Sequence, residues 1–129
     1  MHVISRDFLK FGQLYLDGGI WNGTRLVSAT WLAQSTARQV DRSDGSSDGF
    51  GWHRHQMRVG ARSIETYEAS GNGGQIMIVI PALEVAMAVT PRSYGQFHRW
   101  QRIREVLLPG VLRAVRYQDG SHPGRTRIC

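Results

Sequence analysis

Two unbroken apolar runs lie close together in the second half of the chain. They are Gln75-Ile76-Met77-Ile78-Val79-Ile80 and Val85-Ala86-Met87-Ala88-Val89. Each has the length of a strand and neither alternates apolar with polar residues, so both are expected to be covered on both faces. Pro81 ends the first run and Ala82-Leu83-Glu84 makes the turn into the second. Residues 50 to 59 and 62 to 69 read as two earlier strands joined by a Gly60-Ala61 hairpin. Four such strands in succession predict an antiparallel meander, and strands covered on both faces need helices packed on them. The expected class is therefore α+β.

The helices are looked for outside this block. Ser5 is a good N-cap for a helix from about Arg6 to Asp17, with Phe8, Phe11, Gly12 and Tyr15 at helical spacing. Gly18-Gly19 should stop it. Trp21-Asn22-Gly23-Thr24 reads as a tight turn, because Asn-Gly suits positive φ. A second helix is expected after the cap Ser28, running to about Gln39 and burying Trp31, Leu32 and Ser35. Residues 41 to 49, Asp-Arg-Ser-Asp-Gly-Ser-Ser-Asp-Gly, have the composition of a polar loop. A last helix should run from about Phe97 to Leu107, bury Trp100, Ile103 and Leu107, and be interrupted by Pro109-Gly110. Residues 1 to 116 then make one domain, and 117 to 129 a loose tail.

Charge and cysteine content narrow the function classes. The formal net charge is +6, and fifteen of the sixteen basic residues are arginine, Lys10 being the exception. The arginines are scattered rather than gathered into a stripe or a known module, so a nucleic-acid partner is not expected. No apolar run approaches the roughly 20 residues of a membrane-spanning helix. Met1 to Asp7 lacks the basic start and apolar stretch of a signal peptide. Cys129 is the one cysteine, so no internal disulfide can form. His53 and His55 would share one face of a strand, a spacing that metals use, but no third ligand is evident, and no metal or cofactor is expected.

Hydrolysis through a serine needs a nucleophile, a base and donors for the oxyanion. A Ser-x-x-Lys pair is absent, since the lysine is Lys10 and position 7 is Asp7. Tyr-x-Asn is absent too, and the one Gly-x-Ser-x-Gly spacing, Gly45 to Gly49, lies in the polar loop rather than between a strand and a helix. What remains is the glycine-rich segment Ser70-Gly71-Asn72-Gly73-Gly74-Gln75. Its glycines permit positive φ and close approach, and such a turn presents N–H groups of the kind an oxyanion hole uses. On composition alone the ordinary tight turn between strands is the favoured reading.

Three segments together resemble the β-lactamase-related serine hydrolases, a family of class C β-lactamases, penicillin-binding proteins, esterases and 6-aminohexanoate-dimer hydrolases. They are Tyr67 to Gln75, the strand end Ile80-Pro81-Ala82-Leu83-Glu84, and the opening stretch Ser5 to Gly19. Trp21-Asn22-Gly23 and Gly49-Phe50-Gly51-Trp52 add to the likeness, which spans about residues 3 to 116 and matches the family's C-terminal portion. It implies a partial β-lactamase/transpeptidase-like fold. It also implies that Ala69-Ser70-Gly71 stands where the family carries Lys/His-Thr/Ser-Gly. Ser70 would then hydrogen-bond the substrate, and the Asn72 N–H would supply half of an oxyanion hole. No catalytic residue is expected in this chain, because the nucleophilic serine, its lysine and the tyrosine base are missing.

The implied parent acts on a small ester, amide or lactam through an acyl-enzyme. Ala69 in place of the cation that would hold a substrate carboxylate shifts the expectation towards esters and short amides. The implied partner of the chain is the missing N-terminal portion. The parent family is often periplasmic or secreted, and nothing here states a compartment. The alternative is a non-catalytic module that keeps part of the fold and holds a ligand or partner.

Overall fold

In the computed structural model, residues 4–59, 61–91 and 98–114 are described. The expectations for Gly60, for Phe97, for the tail 117 to 129 and for Cys129 lie outside them.

Helix α1 spans Ser5–Leu16. Ser5 does not cap it. Ile4 holds the cap position without a side-chain hydrogen bond, and the Ser5 hydroxyl meets that of Thr90 instead. Gly18 and Gly19 end the helix at φ +63° and +85°. Gly19 is required twice over, because a Cβ there would lie 2.1 Å from the Val27 carbonyl oxygen. Strands β1 (Ile20–Trp21) and β2 (Thr24–Arg25) pair across Asn22 and Gly23, both at positive φ, the conformation of a type I′ hairpin.

Helix α2 covers Ala29–Thr36 and is capped as expected, Ser28 Oγ accepting the Trp31 N–H at 3.1 Å. It stops short of Gln39 because the Ser35 carbonyl is taken by the Phe50 N–H at 2.8 Å, and Ala37 turns extended. Leu32 and Ser35 are buried. Trp31 is not; it is 49% exposed and stacks on Phe50.

The sheet has six antiparallel strands in chain order. They are β3 (Val40–Asp41), β4 (Ser47–Asp48), β5 (His53–Val59), β6 (Arg62–Ser70), β7 (Ile76–Ile80) and β8 (Val85–Val89). The presumed polar loop 41–49 thus contributes two short strands. Its polarity suits a tight turn: Asp44 Oδ1 accepts from the Ser46 N–H at 3.0 Å and hydroxyl at 2.5 Å, and Gly45 has φ +83°. The strand expected from Phe50 begins only at His53, because Gly51 turns at φ +76°.

All five residues of β7 are buried. On β8, Val85 and Met87 are buried while Ala86 and Ala88 are half-buried. Two apolar layers cover the sheet. On one face Ile64, Ile76, Ile78, Ile80, Val85 and Met87 pack with Ile103 and Leu108 of the C-terminal helix. On the other, Trp52, Met77 and Val79 meet Phe8, Tyr15 and Leu16 from α1, with Tyr67 and Ala69. Gly12 lets α1 lie close, since a Cβ there would stand 2.9 Å from Met77 Sδ. The fold is α+β, with an antiparallel sheet between helices.

The C-terminal helix corrects the expected break at Pro109-Gly110. It runs from α3 (His98–Arg102) through a π-helical turn at Ile103–Leu107 into α4 (Leu108–Ala114). Proline in a regular α-helix clashes with the carbonyl four residues back and lacks the N–H that would bond it. The wider turn just before Pro109 opens that space, with Leu108 N–H bonding the Ile103 carbonyl. Leu107, expected inside, is 44% exposed; Leu108 takes the core position. Among the described residues no helix is long and apolar enough to cross a membrane.

Candidate functional site

Strand β6 delivers the glycine-rich segment. Its last pairs are Ala69↔Met77 and Ser70↔Ile76, and the chain then turns back into β7. Within the turn, Gly71 N–H donates to the Gln75 carbonyl at 3.0 Å and Gly74 N–H to the Gly71 carbonyl at 2.9 Å. The N–H groups of Asn72 and Gly73 take no part in this backbone pattern. Positive φ is confined to Gly74, at +85°. Gly71 serves close approach instead: a Cβ there would lie 2.2 Å from the Gln75 side-chain amide. Asn72 is exposed, and Gly73 and Gly74 are buried.

The alternation of β6 separates the box residues. Ala69 and Tyr67 face the α1 layer, where Tyr67 lies against Trp52 with ring centroids 5.0 Å apart. Burial first, and Tyr15 second, push the Tyr67 hydroxyl up to about 12, which makes it a poor base at neutral pH. Ser70 follows Thr66 and Glu68 onto the opposite face and lines a polar cleft of about 210 Å³. Strand β5 and the loop between β3 and β4 form its other walls, with Trp100 and Arg104 of the C-terminal helix above.

The expected pairing of His53 and His55 on one face is observed, and both open onto this cleft. Each has a carboxylate beside it. His53 Nδ1 lies 2.7 Å from Asp48 Oδ1, on the neighbouring strand. Asp48 also receives Arg42 at 3.0 Å. The His53 hydrogen bond, aided by Arg42, holds the Asp48 carboxyl below the usual range. His55 Nε2 lies 3.2 Å from Glu68 Oε1. Glu68 is 1% exposed and is gripped by Arg104, whose Nε reaches Oε2 at 2.9 Å while a terminal nitrogen meets Oε1. Because Arg104 already neutralises Glu68, burial prevails at His55 and lowers its pKa, with the Arg104 charge acting in the same direction.

Arg42 is thus paired with Asp48 and Arg104 with Glu68, and Asp44 lines the same cleft. The cleft is polar without being basic, and the arginines already have partners. Among the described residues no group of three or more histidine, cysteine, aspartate or glutamate side chains could hold a metal. The Glu68–Arg104 pair was not foreseen. Its sequence signal is an acidic residue on the buried face of β6, two positions before Ser70; its partner lies 36 residues away. Compared with known proteins, the chain matches no family model and no curated protein.

Proposed function

We propose that this chain is the C-terminal, substrate-side portion of a β-lactamase-related serine hydrolase, acting on a small ester or short amide, and that its nucleophile is supplied from outside the chain. The observation that carries the reading is the end of β6. Ser70 opens onto a polar cleft, and the turn beyond it leaves the Asn72 N–H outside its own backbone bonds. A hydroxyl to hold a substrate, at the end of β6, and a backbone donor for a developing oxyanion, in the turn beyond it, then stand two residues apart. An antiparallel sheet between helices supports the same reading. In the parent reaction the acyl carbonyl oxygen would lie against the Asn72 N–H while the absent serine attacks. Ala69, turned towards the aromatic layer, leaves no cation at the box position and favours uncharged acyl groups.

The chain alone should have no acyl-enzyme activity, because nucleophile and base are both missing and loss of either core element removes many orders of magnitude in rate. The test is incubation of the purified chain with a serine-reactive phosphonate, followed by intact mass and peptide mapping. No specific adduct is expected. Rapid stoichiometric labelling of one serine, Ser70 above all, would overturn the reading. The second reading, a ligand-binding module without catalysis, is favoured by the cleft itself, where Arg42 pairs with Asp48 and Arg104 with Glu68 within the chain.

A further inference from the structure

Strand β5 sets His53 and His55 two residues apart, and each completes the same kind of triad. Asp48 is held between Arg42, at 3.0 Å, and His53 Nδ1, at 2.7 Å. Glu68 is held between Arg104, whose Nε lies at 2.9 Å, and His55 Nε2, at 3.2 Å. Both arginines and both imidazoles line the cleft with Ser70. With a neutral imidazole a triad has no net charge, because one guanidinium balances one carboxylate. Protonation of its imidazole makes it a cation. Asp44, in the turn between β3 and β4, also lines the cleft. The described groups therefore stand at two cations against three carboxylates when both rings are neutral, and at four against three when both are protonated. His55 gives a second sign of the same demand. Its Nε2 is buried and, although within ion-pair distance of Glu68, makes no hydrogen bond among the described residues. A buried ring nitrogen without a partner is costly, and a proton on it turns the Glu68 contact into a charge-assisted one.

We propose that this cleft is a site for a small carboxylate monoanion, taken up together with protons on His53 and His55. One surplus cation matches one carboxylate and not a dianion. A volume of about 210 Å³ lies below that of pockets for drug-sized ligands, and it suits an acid of a few heavy atoms. The Nδ1 bond to Asp48 leaves Nε2 of protonated His53 as a donor beside the Ser70 hydroxyl. His53 faces Asp48 from β4, Arg42 from the turn before it, and Glu68 across from it on β6. His55 faces Glu68 from β6, Arg104 from the C-terminal helix, and Asp44, Arg42 and Asp48 from the β3–β4 hairpin. Burial first, and Arg104 second, favour the neutral form of His55. A carboxylate in the cleft opposes Arg104 and raises the proton affinity of the ring, and by linkage the proton raises the affinity for the carboxylate by the same factor. On the hydrolase reading, and resting on it, the acid freed from an ester or amide is a ligand of this kind. The site itself uses no nucleophile.

The test is NMR of the full chain, following the histidine ring C–H signals and the Ser70 amide as sodium acetate, or sodium chloride in its place, is added. Titrations at about pH 6 and about pH 8 lie on either side of the ordinary histidine value of about 6.5. At the lower pH acetate should shift His53, His55 and Ser70 saturably and raise the titration midpoints of both rings. At the higher pH it should bind about tenfold or more weakly. His53→Gln and His55→Gln assign the two rings, and each should weaken binding. The pH dependence is read on the native chain, so a variant that fails to fold leaves the test intact. No saturable shift at about pH 6, equal affinity at the two pH values, or the same shifts with chloride would overturn the proposal. None of these outcomes bears on the Asn72 N–H or on the missing nucleophile, so the site and the hydrolase reading fail separately.

Discussion

Replacing Arg104 by leucine should be among the most destabilising changes that leave the apolar core intact. Glu68 is 1% exposed, and Arg104 reaches both of its oxygens. Without the guanidinium the carboxylate stays buried beside His55, which burial holds towards its neutral form. Removing one partner of a buried pair costs about 3–5 kcal/mol, because the other is left uncompensated. For a domain of this size that corresponds to a fall in Tm of roughly 10–20 °C. Replacing both partners, Glu68→Leu with Arg104→Leu, removes the two desolvation penalties together and should recover most of the loss. The assay is urea denaturation of the native chain, both single variants and the double variant, read as a double-mutant cycle. A coupling of about 2 kcal/mol or more is expected. Single-variant losses under about 1 kcal/mol would refute the reasoning, since they are what a solvent-screened surface pair gives.

Further outcomes follow from particular residues. His55 has a lowered pKa in the folded chain, so the unfolded state binds the extra proton first; stability should fall as pH drops through about 6.5, and His55→Gln should flatten that slope in pH-dependent urea melts. Asp48 has a lowered pKa too, and its contribution is lost only at more acid pH, below about 4, so the two effects separate on the pH axis. Ser28→Ala should cost about 1 kcal/mol through the lost cap, and Ser5→Ala, at an uncapped start, under about 0.5 kcal/mol, both by denaturant midpoint. Gly19→Ala should cost about 2 kcal/mol or more, because it meets both a positive φ and the Val27 carbonyl; a neutral thermal melt would contradict that packing.

Local chemistry made much of the fold legible. Asn22-Gly23 specifies its hairpin through φ alone, Ser28 caps its helix through one side chain, and the apolar runs at 76–80 and 85–89 become adjacent strands. Features decided by distant partners were not legible. Polar residues 40–48 form strands because β5 offers them an edge, which composition does not reveal. Ser5 surrenders its capping role because Thr90 lies opposite it in space. The helix passes Pro109 because a π-helical turn opens before it. At the candidate site the turn was visible as glycine spacing. Its support was not: Glu68 and Arg104 meet only when the C-terminal helix packs on the sheet.

The proposed function makes this chain one wall of a hydrolase whose nucleophile lies outside it. The most direct measurement is the DNA sequence immediately upstream of the Met1 codon, read in the same frame. An in-frame Ser-x-x-Lys element followed by Tyr-x-Asn is expected there. An in-frame stop codon behind a promoter, with neither element upstream, would contradict it.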